Sequence, residues 1–175
     1  RVHLVWQENA ERCAARNHGV ELAQGEFVAF LDSDDLWLPE KLAKQMRLFT
    51  AHPRLDLVHT DFGLCDADGR SHFSEPRPNT PGVLSGNIFF SLLTSDPIGT
   101  LTVVARRSAL LERGGFGEDR RLIPFEDWEL WTRLAYRSEV GYVPEQLALH
   151  RVHAGNTGTP VETEDYLVFW EHVQT

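Results

Sequence analysis

Cysteine and long apolar runs are both scarce in this chain of 175 residues. Its two cysteines, Cys13 and Cys65, lack the close spacing of a metal site and suit ordinary buried thiols in a reducing compartment. No apolar run approaches the ~20 residues that a membrane-spanning helix needs. The sequence therefore predicts two free thiols and no membrane span.

Basic stretches are also missing. The chain has 17 Lys and Arg against 26 Asp and Glu, so its net charge is −9 at pH 7. Because an acidic surface repels phosphate groups, we expect neither nucleic acid nor an anionic membrane as a partner. Hydrophobic residues make up 42% of the chain, which at this length is enough for one domain with its own core.

Segments typical of strands alternate with segments typical of helices along the chain. The predicted strands are 2–6, 27–31, 55–64, 100–105, 140–143 and 147–152. The predicted helices are 9–23, 39–51, 85–94, 107–113 and 126–137. This alternation is typical of an α/β fold in which helices cover both faces of a largely parallel sheet.

The most informative segment is residues 26–35, where an apolar run ends in three carboxylates. Carboxylates are costly to bury without partners, so we expect Asp32, Asp34 and Asp35 at the open end of the strand, where α/β proteins bind ligands. Asp32 and Asp34 lie on the same side of an extended backbone. Hard divalent cations take carboxylate oxygens and bridge proteins to phosphate. The segment therefore predicts a metal–diphosphate site.

A helix cap and an EF-hand loop are weaker interpretations of the acidic cluster. One aspartate could simply cap the helix predicted after Pro39, but a cap needs one acid and this stretch has three. An EF-hand loop also begins with alternating acids, but Trp37 stands where that loop needs a glycine. We therefore favour the ligand site.

A second candidate residue is Asp127. With Leu130, Trp131 and Leu134 it recurs at the i, i+3, i+4, i+7 spacing of one helix face, and the rest of that face is apolar. A carboxylate in the first turn could only stabilise the helix. Beside a metal–phosphate site, however, a half-buried carboxylate suits a general base that deprotonates an attacking hydroxyl.

A third candidate is His153, at the end of the strand predicted over 147–152. A histidine there could donate to a phosphate or complete a metal shell, or it could be an ordinary polar residue. The adjacent loop at 155–158 contains two glycines, which would let a ligand approach the backbone closely.

Taken together, these motifs resemble the family 2 glycosyltransferases of GT-A fold. The resemblance covers about residues 2–158 and rests on five ordered segments: Ala15-Arg16-Asn17, residues 25–42, Gly114-Gly115-Phe116, Glu126–Trp131 and His150–His153. It implies transfer of a sugar, with inversion, from a nucleotide-diphosphate donor to a hydroxyl of a glycan, lipid or protein. It further implies Mn²⁺ or Mg²⁺ as cofactor, and a role in cell-envelope polysaccharide biosynthesis in the cytoplasm or at the inner face of the membrane.

The resemblance also assigns roles within the acidic turn. Asp32-Ser33-Asp34 matches the DxD motif of the family. Asp34 is then the direct metal ligand, and Asp32 lies nearer to the ribose or the metal. Ser33 belongs to the same substrate-binding stretch.

The remaining roles fall on helices and on the late histidine. Asp127 matches the catalytic base of the family, with Glu126 beside it in the substrate site. His153 resembles the histidine that approaches the metal or the diphosphate. Arg16 and Asn17 match a helix motif next to the donor pocket.

One departure from the family concerns the start of the chain. Members begin with two strands that hold the nucleobase and ribose, whereas residues 2–6 here resemble the third strand. We therefore expect an N-terminally incomplete GT-A domain over 1–158, a tail or helix over 159–175, and weak binding of nucleotide sugars.

Two alternative functions also fit the acidic turn. In an Asp-nucleophile phosphatase of the HAD type, Asp32 and Asp34 would be nucleophile and acid, although Asp35 and Leu36 do not fit the motif that follows. The other alternative is a nucleotide-sugar-binding remnant without turnover.

Overall fold

The computed structural model describes residues 2–72, 77–153 and 163–173, without the side chains of 163–165. The helices are α1 (Glu11–Leu22), α2 (Lys41–Ala51), α3 (Phe89–Leu92), α4 (Arg107–Glu112), α5 (Glu126–Ala135) and α6 (Thr163–Val173). The strands are β1 (Phe27–Ala29), β2 (Leu36–Trp37), β3 (Leu57–Cys65), β4 (Ser71–His72), β5 (Val104–Arg106) and β6 (Val140–Arg151). Short 3₁₀ turns lie at Thr100–Thr102 and Arg120–Leu122.

These strands form one sheet in the order β1-β5-β3-β6-β2, and β4 pairs with the end of β3. The α/β class is confirmed, but the sheet is mixed rather than largely parallel. Among the described strands only β3 and β6 run parallel, and the other pairs are antiparallel. An apolar pattern shows which residues of a strand are buried. It does not show in which direction the strand runs in the sheet, so the antiparallel pairing could not be predicted from it.

Helices cover both faces of the sheet, as predicted. Neighbouring strand residues point to opposite faces, and Leu57 and Val58 accordingly belong to two different apolar clusters. The larger cluster includes Leu110 of α4 and Trp131 of α5, and the smaller one includes Phe49 of α2. The sheet is thus a central layer between the helices, and it fixes the position of α5 relative to β1.

The C-terminal helix α6 packs on α5. Phe169 is fully buried, and its ring stacks on Trp128 with the centroids 4.3 Å apart. The predicted domain boundary at 158 and the loop at 155–158 lie outside the described residues. Cys13 and Cys65 are free and buried, as predicted. None of the helices in the described ranges is both long and apolar enough to span a membrane.

Several predicted elements differ in detail. Residues 2–6 form no strand, and the side chains of Leu4 and Trp6 are 76% and 85% exposed. An extended segment becomes a strand only when a neighbour pairs with its backbone, and within the described structure this segment has no such neighbour. The strand predicted at 100–105 is a 3₁₀ turn followed by β5. The two strands predicted over 140–152 are the single strand β6.

Candidate active site

A cavity of about 250 Å³ lies between the end of β1, the start of α5 and the 3₁₀ turn at Thr100–Thr102. Its titratable lining residues are Arg12, Arg16, Asp32, Asp35, Glu126, Asp127 and His150. Four of the predicted site residues therefore meet in one place: Arg16, Asp32, Glu126 and Asp127. They come from α1, the acidic turn after β1 and the first turn of α5.

Arg16 joins two of the predicted acids. Its Nη2 donates to both carboxylate oxygens of Asp32, at 3.0 and 2.9 Å, and its Nη1 donates to Glu126 Oε1 at 3.2 Å. Glu126 is only 3% exposed. A buried carboxylate needs charged partners, and Arg12 supplies the second one through Nη2, 3.1 Å from Glu126 Oε2, and through Nε.

Arg12 was missed by the sequence reasoning. Arg12 and Arg16 are four residues apart on α1, so both guanidinium groups lie on the same helix face. The spacing of the two arginines is visible in the sequence. Its role became clear only from the structure, in which both side chains contact Glu126. The two cations are paired with Glu126 and Asp32, so they balance two of the acids in the wall of the cavity.

Asp127 lines the same cavity and is partly buried. Its Oδ2 accepts a hydrogen bond from Thr100 Oγ1 at 2.5 Å, and its Oδ1 accepts one from the backbone N–H of Trp128 at 2.9 Å. Burial raises the pKa of Asp127, and the neighbouring carboxylate of Glu126 adds to the rise, although the two hydrogen bonds oppose it. The bond from Trp128 is a first-turn contact, so Asp127 stabilises its helix and also presents a carboxylate of increased proton affinity.

The three acids of the turn after β1 point to three different partners. Asp32 pairs with Arg16, whereas Asp34 Oδ2 accepts a hydrogen bond from His153 Nε2 at 3.1 Å. That hydrogen bond lowers the pKa of Asp34. The Asp34 side chain is 39% exposed. Asp34 is therefore an ionised carboxylate that solvent and ligands can reach.

Asp35 has a structural position that the sequence did not distinguish. It is buried, and its Oδ1 lies 3.0 Å both from the backbone N of Arg151 and from His150 Nδ1. Burial raises the pKa of Asp35. This carboxylate ties the acidic turn to the end of β6, which brings Asp34 and His153 together.

The predicted metal ligands are brought together only in part. Asp34 and His153 are in contact, whereas both oxygens of Asp32 accept hydrogen bonds from Arg16. Within the described ranges, no three His, Cys, Asp or Glu side chains converge as a metal site. Divalent metals at phosphate sites commonly take most of their ligands from water and phosphate oxygens. A pair consisting of a carboxylate and an imidazole is chemically suited to such shared coordination.

Two predicted substrate-binding residues lie outside the cavity. Asn17 accepts from the backbone N–H of Phe116 at 2.7 Å and donates to the carbonyl oxygen of Phe116 at 2.9 Å. It thereby fixes the Gly114-Gly115-Phe116 turn against α1. Ser33 is exposed in the acidic turn between Asp32 and Asp34.

The chain belongs to glycosyl transferase family 2, whose sequence model matches residues 1–112. An uncharacterized glycosyltransferase of Rickettsia bellii is 31% identical over 157 residues, which cover 90% of this chain and 22% of that relative. The chain thus spans less than a quarter of the length of this relative. These matches give no support to the phosphatase alternative.

Solved structures show the same fold. The chain resembles S. aureus TarS 1-349 in complex with UDP-GlcNAc, with a TM-score of 0.68 and 20% identity, over 99% of this chain and 48% of that one. It also resembles the mannosyltransferase PcManGT of Pyrobaculum calidifontis in complex with GDP-Man and Mn²⁺, with a TM-score of 0.59 and 19% identity, over 85% and 39% of the two chains. The GT-A fold inferred from the motifs is confirmed.

Proposed function

We propose that this chain carries the reaction centre of an inverting, metal-dependent glycosyltransferase, which uses a nucleotide-diphosphate sugar and a hydroxyl acceptor. One observation carries the proposal: Asp127, a carboxylate with a raised pKa, opens into the same cavity as Asp32 and its partner Arg16. Membership of family 2 supports sugar transfer as the reaction class. The nucleotide sugars in the structures of TarS and PcManGT support the donor class.

Asp127 acts as the general base in this proposal. The acceptor oxygen attacks the anomeric carbon while the bond between that carbon and the diphosphate oxygen breaks, and the hydroxyl proton passes to Asp127 Oδ. The raised pKa suits this task because a base accepts a proton best when its proton affinity approaches that of the reacting group. Thr100 holds the carboxylate in place through its hydroxyl. Attack from the face opposite the leaving group inverts the anomeric centre.

The diphosphate end of the donor belongs near Asp34 and His153. Their oxygen and nitrogen atoms form a donor set that suits Mn²⁺ or Mg²⁺. A metal bound there would supply positive charge to the leaving diphosphate, so the site needs no general acid. Asp34 is suited to this role because its lowered pKa keeps it ionised and its side chain is exposed.

Asp32 binds the donor rather than the metal in this proposal. Its carboxylate is 48% exposed, while Arg16 fixes its orientation through both oxygens. An oriented carboxylate suits hydrogen bonds from ribose hydroxyl groups. Arg12 and Arg16 offset the charges of Glu126 and Asp32 in the cavity wall, which reduces the repulsion of a diphosphate. Glu126 orients these two cations, and Asn17 and Ser33 support the site from outside the cavity.

The wider biological setting is proposed on the resemblance. The acceptor is a hydroxyl of a glycan, lipid or protein, nucleic acid is no partner, and the reaction serves cell-envelope polysaccharide biosynthesis. The place of action is the cytoplasm or the inner face of the membrane.

An assay of released products tests the reaction class. We expect the protein expressed from its full gene, with Mn²⁺ and either UDP-GlcNAc or GDP-mannose, to release the nucleoside diphosphate and to transfer the sugar. Release of inorganic phosphate instead would support a phosphatase. Donor binding without any turnover would support a binding remnant.

A further inference from the structure

A second cavity, of about 440 Å³, borders the cavity that contains Asp127. We call it the outer cavity and define it by six of its lining residues: Asp61, Phe62, Arg77, Asp96, Gly99 and Gln146. Phe62 and Gly99 line both cavities. A ligand in the outer cavity would therefore lie next to the reaction centre without occupying the acidic turn.

Irregular pairing between β3 and β6 shapes this cavity. Thr60 pairs with Val143, but the next residue, Asp61, pairs with Gln146, and Phe62 pairs with Ala148. Extra residues on one strand bend it and redirect its side chains, and such bulges are frequent beside active sites. The bulges lie where Asp61, Phe62 and Gln146 reach the outer cavity.

Among the described residues, the outer cavity offers no uncommitted positive charge. The guanidinium group of Arg77 is already hydrogen-bonded within the protein. Its Nε donates to Asp61 Oδ1 at 2.9 Å, and its Nη2 donates to the carbonyl oxygen of Pro97 at 2.9 Å. Asp61 and Arg77 thus neutralise each other. Burial and the neighbouring carboxylate of Asp127 raise the pKa of Asp96 well above its usual value. Its Oδ1 accepts from the backbone N–H of Ile98 at 3.0 Å.

We infer that the outer cavity binds the acceptor and that the acceptor group is a neutral, polyhydroxylated sugar unit. The inference rests on the proposed function. A phenyl ring beside carboxylate and amide groups offers an apolar face and hydrogen-bond acceptors, which match the faces and hydroxyl groups of a sugar. A phosphorylated or acidic acceptor would meet the acids Asp96 and Asp127, while the cation of Arg77 is already paired with Asp61, so its charge would be left unbalanced.

Gly99 lies where the two cavities share their lining with Phe62. A Cβ at this position would lie 3.1 Å from Leu101 Cδ2 and 3.3 Å from Phe62 Cε1. The absence of a side chain keeps Phe62 in place and leaves room beside its ring. An acceptor held against Phe62 would therefore lie beside the cavity that Asp127 lines, with one of its hydroxyl groups directed toward Asp127.

Steady-state kinetics on the protein expressed from its full gene test the inference. The acceptor probes are methyl glucoside, methyl galactoside and methyl mannoside, with glycerol 3-phosphate and dodecanol for comparison, and the readout is release of nucleoside diphosphate. We expect a methyl hexoside to stimulate release and the other two compounds to leave it unchanged. Asp96→Asn keeps an acceptor for the Ile98 N–H but replaces the carboxyl group offered to the sugar, so the KM for the hexoside should rise about tenfold while the donor KM stays constant.

A matched control separates this effect from a general loss of charge. Asp68 has a side chain that is 74% exposed, in a turn before β4, and Asp68→Asn should leave both KM values unchanged. Phe62→Leu should also raise the hexoside KM, because it removes the aromatic face. Stimulation by glycerol 3-phosphate or dodecanol alone, no stimulation by any hexoside, or unchanged KM values in both variants would overturn the inference. No donor binding and no donor turnover would instead contradict the proposed function.

Discussion

Asp34 Oδ2 and His153 Nε2 lie 3.1 Å apart, although 119 positions separate the two residues in the chain. Asp34 follows β1, and His153 follows β6. Asp35 stabilises the contact between Asp34 and His153, because its buried carboxylate accepts a hydrogen bond from the backbone N–H of Arg151 at the end of β6. The contact therefore depends on how the sheet is assembled, and it places a carboxylate and an imidazole where a metal–diphosphate site was expected.

The first prediction concerns the general base. Asp127→Asn should slow sugar transfer by roughly 10²–10⁴-fold, because an amide cannot take the proton of the acceptor. Donor affinity should remain close to that of the wild type, since the amide oxygen can still accept from Thr100. Rates of transfer and donor titrations on the protein expressed from its full gene provide the two measurements. A variant that folds and transfers at the wild-type rate would limit Asp127 to its role in the first turn of α5.

The second prediction concerns the metal. Asp34→Ala should abolish the part of nucleotide-diphosphate binding that depends on Mn²⁺ or Mg²⁺, because it removes the carboxylate proposed to ligate the ion. Calorimetric titration with UDP or GDP, with and without metal, measures this part. Asp68→Asn, at an exposed position in the turn before β4, is the control and should bind as the wild type does. Equal metal-dependent binding by the wild type and Asp34→Ala would contradict the assignment.

The third prediction concerns the turn that Asn17 holds. Gly114 and Gly115 have positive φ angles of 76° and 71°, so alanine is strained at both. A Cβ at Gly115 would also lie 2.4 Å from Asn17 Oδ1, whereas a Cβ at Gly114 would have nothing within 4 Å. Gly114→Ala should thus cost about 1 kcal/mol in the free energy of unfolding, the cost of the backbone strain alone.

Gly115→Ala should cost clearly more than Gly114→Ala, by roughly 1–3 kcal/mol, because it also disturbs the hydrogen bonds of Asn17. Urea unfolding of the two variants gives the comparison directly. Equal losses would show that Asn17 moves aside easily and does not fix the turn.

The fourth prediction concerns pH and Lys41. This lysine is 1% exposed, its Nζ donates to Gln45 Oε1 at 2.9 Å, and it lies 4.5 Å from the centre of the Trp37 ring. Burial lowers its pKa from 10.5 to about 7. Between pH 7 and about 10 the unfolded chain therefore binds a proton that the folded chain has lost, so stability should rise with pH through this group.

Through Lys41, the free energy of unfolding can rise by at most about 1.4 kcal/mol per pH unit. Urea unfolding at several pH values between 7 and 10 measures it, and Lys41→Met should remove it. Lys44→Met is the control, because Lys44 pairs with Glu145 and its pKa is raised. Lys44 therefore titrates above pH 10, and in Lys44→Met the free energy of unfolding should still rise with pH. A slope that persists in Lys41→Met would show that other groups cause it.

The sequence alone indicated several residues of the proposed reaction centre. The apolar run ending in Asp32 and Asp34, and the inward position of Asp127 on a helix, could be recognised because burial and chemistry leave local patterns. Helices on both faces of the sheet followed from the same patterns. The order of the motifs was enough to indicate the family, since that order is a property of the chain itself.

Only the tertiary structure decided which acid has which partner. Asp32, Asp34 and Asp35 look alike in sequence, but Arg16, His153 and the end of β6 give each of them a different environment. Those partners lie far away in the chain, and no local spacing encodes their distance. The strand directions, the pairing of Arg12 with Glu126 and the bulges beside Asp61 were hidden for the same reason. They arise from contacts between elements, whereas a periodic pattern reports only which side of one element is buried.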